Sequence, residues 1–153
     1  MSDRFDRWIS SDEWATIVRN VPIVSVDLVI EHSGGIILGR RENEPAKGEW
    51  FVPGGRVQKF ESLTDAVHRI AREELDIDVA IQRRLGVYEH MYDESDVSEG
   101  DGKHYVANAY VMQVNGESSL STDEQHDSLR VFDDPPEELH PYVEAYLRDA
   151  GIR

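Results

Sequence analysis

The chain has 153 residues, a formal net charge of −15 and no cysteine. That length suits a single domain over residues 1–153 with a real core, and the missing thiols exclude disulfides, thiolate metal sites and cysteine nucleophiles. The acidic balance excludes nucleic acid and anionic membranes as natural partners.

Of the sixteen basic residues only Lys47, Lys59 and Lys103 are lysine. A surface this acidic is halophile-like: at 1 M salt the Debye length falls to about 3 Å and self-repulsion costs little. No apolar run approaches the roughly 18 residues of a membrane span. The opening MSDRFDRWISSDEW lacks the basic start and apolar middle of a signal peptide, so a cytoplasmic location is expected.

Residues 1–20, with Trp8, Trp14, Ile17 and Val18, read as a short helix or arm that packs on its own domain or on a partner subunit. Residues 21–30 (VPIVSVDLVI) are rich in β-branched side chains and predict a strand. The HSGG turn at 32–35 returns the chain into a second strand at 36–41. Residues 42–49 form a polar loop, and Trp50 to Pro53 a short apolar strand ending at Gly54-Gly55. Residues 61–75 carry the strongest helical signal, with Leu63, Ala66, Val67, Ile70 and Ala71 on one face. Strands are expected at 79–82, 85–90, 104–114 and 129–132. An acidic, glycine-bearing loop, expected to be mobile, spans 93–103. Pro135-Pro136 opens a last helix whose apolar side holds Leu139, Tyr142, Val143, Tyr146 and Leu147. The pattern is α/β: a mixed β-sheet sandwiched between helices, an α/β/α sandwich.

The segment GGRVQKFESLTDAVHRIAREELDID (54–78) carries the chemistry. At about 100° per residue, Glu74 falls within the apolar arc, roughly 40° from Ile70. A carboxylate aimed at a core is costly unless paired, protonated or bound to a cation. Glu73 lies on the rim, Arg69 neighbours it at i+4, and Glu61 stands at the helix entrance. Hard cations such as Mg²⁺ take oxygen ligands of this kind. An amphipathic helix whose Glu74 caps a core salt bridge gives the same wheel.

The order of residues resembles the Nudix box, G-x5-E-x7-R-E-U-x-E-E-x-G-U, where U is bulky and apolar. Gly55, Glu61, Arg69, Glu73, Glu74 and Ile77 match in register, and Ala71 fills the first U with a small residue. Ile70 stands where the pattern has Glu, and Asp76 where it has Gly. WFVPGGRVQK (50–59), Asp27, GRR (39–41), HMYD (90–93), HYV (104–106) and DEQHD (123–127) further resemble the GDP-mannose mannosyl hydrolases. In that subfamily the Glu after the box Arg is also lost.

The resemblance implies a Nudix fold and a Mg²⁺ site, with Mn²⁺ as a substitute. The ion would be held by Glu74, the Gly55 carbonyl and the Gln125 side chain, with Glu73 as a further ligand. Glu61 and Arg69 would be structural within the box. His126 would be the general base, oriented by Asp123 or Asp127. Arg41 and Arg56 would contact the diphosphate, with one more hydrogen bond from Tyr105. Asp27 would contact the sugar or the guanine end, and His90 would lie near the sugar. The implied reaction hydrolyses GDP-mannose to GDP and mannose by water attack at the sugar C1 with inversion. A homodimer using the N-terminal arm is implied as well. Because Glu73 is retained, P–O cleavage of an NDP-sugar, ADP-ribose or a nucleoside triphosphate is the alternative. A non-catalytic nucleotide-sugar-binding domain is a third reading.

Overall fold

The computed structural model describes residues 8–97, 102–116 and 128–153. The chain folds as helix α1 (Ser11–Asn20), strands β1 (Ile23–His32), β2 (Gly35–Arg40), β3 (Trp50–Phe51) and β4 (Gly54–Arg56), and helix α2 (Leu63–Leu75). Strands β5 (Val79–Tyr92), β6 (Lys103–Val114) and β7 (Leu129–Phe132) and helix α3 (Pro141–Asp149) complete it. The strands make one mixed sheet in the order β3-β2-β1-β6-β5, with β4 on β1 and β7 on β2. β1 runs parallel to β6, while β5–β6 and the β1 pairings with β2 and β4 are antiparallel.

β1 buries both faces, which explains its β-branched run. Val26, Leu28 and Ile30 meet Ala66, Val67, Ile70 and Ala71 of α2 on one side. Val29 joins Leu38, Val111 and the α3 residues Val143, Tyr146 and Leu147 on the other. The expected sandwich of helices on both faces of a mixed sheet is therefore what forms.

β1 also divides its outer edge. Ser25 to Asp27 pair with β4, and Glu31 and His32 pair with β2. Between these pairings the sheet forks, and the cleft described below opens at the fork.

Three expectations change. The strands expected at 79–82 and 85–90 are one long β5, which passes Arg83-Arg84 through two register shifts rather than breaking; bulges let a strand absorb such irregularity. Gly54-Gly55 does not end a strand but begins β4. The last helix starts at Pro141, not at Pro135-Pro136, and His140 caps it by accepting from the Tyr142 N–H at 3.1 Å. A proline in a helix interior lacks its N–H and clashes with the preceding turn, so a helix from 136 would break at Pro141, whereas Pro141 fits the first turn well.

Candidate active site

α2 is held at its entrance by two devices. Ser62 caps it, accepting from the Asp65 N–H at 3.1 Å. Arg69 reaches back eight residues to grip Glu61 with a fork, Nε to Oε2 at 2.7 Å and Nη2 to Oε1 at 3.0 Å. Arg69 also donates to the Arg56 carbonyl at 3.0 Å, and Gln58 N–H donates to Glu61 at 3.1 Å. The Glu61 side chain is only 4% exposed. Burial pushes its carboxyl up, but the Arg69 and Gln58 hydrogen bonds and the charges of Arg69 and Arg56 outweigh that and hold it below its ordinary value. The pair thus staples the end of β4 and the turn after it to the helix carrying Glu74. Arg69→Lys keeps the charge and loses the fork; we expect a stability loss of about 2 kcal/mol in chemical denaturation. A change within error would remove the staple.

Both departures from the box pattern have a physical basis. Ile70 is buried, and its Cδ1 lies 3.1 Å from where a Cβ on Gly55 would stand, so the apolar side chain fills the space beneath the glycine loop. Asp76 caps the helix in the left-handed region, φ 54° and ψ 43°. Asp is among the few residues other than glycine that adopt this conformation readily.

Glu74 departs from its wheel position. It does not point into the core; its residue is exposed, while Ile70, Ala71 and Leu75 beside it are buried. In the last turn that arc faces the fork in the sheet rather than the sheet itself. There Glu74 lines a cleft of about 530 Å³ with Arg40, Arg41, Glu42, Pro53 and Gly54. It has no ion-pair or hydrogen-bond partner among the described residues. Glu73 is 57% exposed and bonded to Arg69 at 3.2 Å.

A second, smaller cavity of about 80 Å³ shares Arg41, Phe51, Val52 and Gly54 with the cleft and runs on to Asp27, His90, Tyr92 and Tyr105. Arg41 stands where the two meet. Its Nε donates to the Pro45 carbonyl at 2.6 Å and its guanidinium lies 5.6 Å from the Phe51 ring.

Asp27 is the acid of this inner cavity. Its side chain is 16% exposed. Burial pushes its carboxyl up to about 6, against the lowering effects of a hydrogen bond from Tyr146 and the charge of Arg41. That bond, from the Tyr146 hydroxyl to Oδ2, is 2.6 Å long. Gly54 is glycine for a visible reason: a methyl group there would overlap Asp27 Oδ1 and stand 2.6 Å from the Val26 carbonyl.

His90 Nδ1 lies 4.0 Å from Asp27 Oδ2. Its ring stacks on Tyr142, centroids 4.1 Å apart and planes within 4°. Burial, then the charge of His140, pushes His90 down to about 4, so it is neutral at physiological pH. Its buried Nε2 has no partner among the described residues.

The structure therefore brings Asp27, Arg41, Gly55, His90 and Tyr105 together, and sets Glu74 at the cleft that joins them. Arg56 lies apart, its guanidinium 5.8 Å from the Trp14 ring of α1, and lines neither cavity. Burial and the neighbouring Arg69 lower its pKa, with Glu61 opposing. Gln125, His126, Asp123 and Asp127 lie outside the described residues. Sequence reasoning missed Tyr142 and Tyr146 as site-supporting groups and read them as apolar helix face. The available signal was the hydroxyl: a buried tyrosine usually finds it a partner.

The sequence profile of the NUDIX domain matches residues 21–150. The chain belongs to the Nudix family. It is 60% identical over 139 residues to the low-salt glycan biosynthesis protein Agl8 of Haloferax volcanii, covering 91% of this chain and 88% of that one. It is 33% identical to the ADP-ribose pyrophosphatase of Methanocaldococcus jannaschii, over 62% of this chain and 53% of that protein. Among solved structures, the MutT Nudix hydrolase of Burkholderia pseudomallei superposes with a TM-score of 0.62 at 31% identity, over 84% of this chain and 97% of the other. As a Nudix hydrolase the chain is an enzyme. No helix among the described residues is long and apolar enough to cross a membrane.

Proposed function

We propose that this chain is a Mg²⁺-dependent hydrolase of nucleoside-diphosphate sugars, with GDP-mannose the leading substrate, releasing GDP and mannose by inverting attack of water at the sugar C1. The observation that carries this reading is the joining of two unlike compartments at Arg41. The outer cleft has a carboxylate and arginines suited to a metal-bound diphosphate. The inner cavity has a carboxylate, a neutral imidazole and tyrosine walls, suited to a polyhydroxylated ring.

Glu74, the Gly55 carbonyl and Gln125 would hold the ion. The fit is chemical: the donors are all oxygen, as Mg²⁺ requires, and Glu74 is uncommitted among the described residues. When bound, the metal supplies charge neutralisation that makes the nucleoside diphosphate a good leaving group.

The chain's own groups do the rest. Arg41, fixed by Pro45 and Phe51, presents its remaining N–H donors at the junction, where negative charge gathers as the sugar bond breaks. Asp27 accepts from a sugar hydroxyl. Neutral His90 lines the same cavity with its Nδ1 4.0 Å from Asp27 Oδ2 and adds no positive charge there. Tyr92 and Tyr105 wall off bulk water. His126, by resemblance, removes the proton from the attacking water. The transition state resembles that of an inverting glycosidase, without a sugar-protonating acid, because a diphosphate is stable as an anion and leaves without taking a proton.

Retention of Glu73 and the likeness to an ADP-ribose pyrophosphatase favour a second reading, attack at phosphorus. Against it, Glu73 is exposed and occupied by Arg69. A panel of NDP-sugars and ADP-ribose, turned over with Mg²⁺ in ¹⁸O-water and read by mass spectrometry, separates the two. We expect GDP-mannose to be cleaved fastest, with label in mannose. Label in phosphate would establish pyrophosphatase chemistry instead.

A further inference from the structure

We propose that Tyr146 of α3 is a positioning residue: by binding one carboxylate oxygen of Asp27 it fixes the plane of that carboxylate and presents the other oxygen to the ligand. The inference rests on the reading above only in taking the inner cavity as part of the substrate site.

Asp27 and Tyr146 are 119 residues apart, and the contact between them is short and specific. The Tyr146 hydroxyl donates to Asp27 Oδ2 at 2.6 Å, in the range of a charge-assisted bond. Among the described residues it is the side-chain hydrogen-bond partner of Asp27. Tyr146 is fully buried and does not line the cavity, whereas Asp27 does. A ligand in the cavity therefore meets Asp27, and Tyr146 acts through it. The other oxygen, Oδ1, lies over Gly54, on the wall shared by the two compartments.

A carboxylate free to turn about its last side-chain bond would offer either oxygen and lose that freedom on binding. Tyr146 removes it beforehand. The tyrosine is itself fixed, its ring edge-on to Tyr88 with centroids 4.7 Å apart, and the Tyr88 hydroxyl ties back to Asp149 at the end of α3 at 2.7 Å.

One turn earlier the same helix face repeats the device. Tyr142 stacks on His90, and its hydroxyl accepts from the Met91 N–H at 3.0 Å and donates to the Met91 carbonyl at 2.8 Å. The i, i+4 spacing of two tyrosines thus sets Asp27 and His90, the acid and the imidazole of the inner cavity, from one rigid element. In this chain α3 is a template for the pocket as well as a core helix.

The test is Tyr146→Phe in the full chain, which keeps the ring and deletes the hydroxyl. Tyr110→Phe, which deletes a hydroxyl from a buried ring on the α2 face, is the control. The probe is the NDP-linked compound that the wild type turns over fastest, so a sugar other than mannose overturns the substrate assignment while the Tyr146 measurement stands. We expect KM to rise about tenfold with kcat changed less than about threefold, and Tyr110→Phe to leave both unchanged. In an Asp27→Ala background, which removes the acceptor altogether, Tyr146→Phe should have no further effect, because the two act as a unit. Without any ligand, the Asp27 carboxyl ¹³C resonance should move in Tyr146→Phe and stay in Tyr110→Phe. An unmoved resonance, an unchanged KM, or an equal KM rise in the Asp27→Ala background would overturn the proposal.

Discussion

Glu74→Gln is expected to lower Mg²⁺-dependent turnover by roughly 10³-fold or more while leaving the fold intact. Both halves follow from where the side chain sits. Glu74 is exposed at the mouth of the cleft and bonds to no described residue, so replacing it with an isosteric amide breaks no internal contact and surface changes of this kind shift stability by less than about 0.5 kcal/mol. The functional loss is large because Gln supplies oxygen without charge, and Mg²⁺ pays its dehydration cost only to strong, anionic oxygen donors. A metal that stabilises leaving-group charge contributes several kcal/mol; forfeiting about 4 kcal/mol corresponds to roughly 10³ in rate. The measurement is kcat/KM against Mg²⁺ concentration alongside thermal unfolding. Turnover within tenfold of wild type at saturating Mg²⁺ would place the metal elsewhere. A large drop in Tm would instead recast Glu74 as structural, the role the structure gives to Glu61.

Most of the architecture was legible because burial imposes a period. The α2 stripe and the β-branched run of β1 report one-sided and two-sided burial directly. The box register singled out Glu61 and Arg69 but did not pair them; the fork between them comes from the structure. Three things were not legible, for distinct reasons. A helical wheel assumes that the buried arc faces core along the whole helix, and at Glu74 the helix has reached the fork, so the same arc faces a cleft. Local turn logic let Pro135-Pro136 stand in for Pro141, although only Pro141 has the cap from His140. The link from Tyr146 to Asp27 spans the chain and has no periodic signature. Its trace in the sequence is an acid in an otherwise apolar strand, which says that a partner exists without saying which.

That acid leads to the second large effect. Asp27→Asn should make the protein more stable at neutral pH and a poorer enzyme. In the folded chain burial lifts the Asp27 carboxyl from 3.8 to about 6. Between those values the folded state holds a proton that the unfolded state has released, so stability falls as pH rises through the window and the full deficit stands above pH 6. At about 1.4 kcal/mol per unit, a shift of this size sets an upper bound of about 3 kcal/mol on the cost of ionising Asp27 in place. Asn carries no charge and still accepts from Tyr146, so the variant recovers much of that at pH 7.5 and nothing at pH 3.5. His90 works the opposite way. Its folded value near 4 lies below the ordinary 6.5, so its contribution is present above 6.5 and is lost as pH falls toward 4. In the wild type the two slopes oppose each other across the overlap of their windows; in Asp27→Asn the His90 slope stands uncovered. The difference in unfolding free energy, variant minus wild type, should therefore climb from near zero at pH 3.5 to a plateau above pH 6. Over the same range kcat/KM should fall about 10- to 100-fold, the loss of a hydrogen bond to a charged acceptor. A variant less stable than wild type at pH 7.5 would mean that the ionised carboxylate is better solvated in the cavity than its surroundings indicate. Stability gained with activity kept would take Asp27 out of substrate recognition. The joint outcome, stability up and activity down, is what a carboxylate held ionised in a half-dry cavity for the sake of its ligand should give.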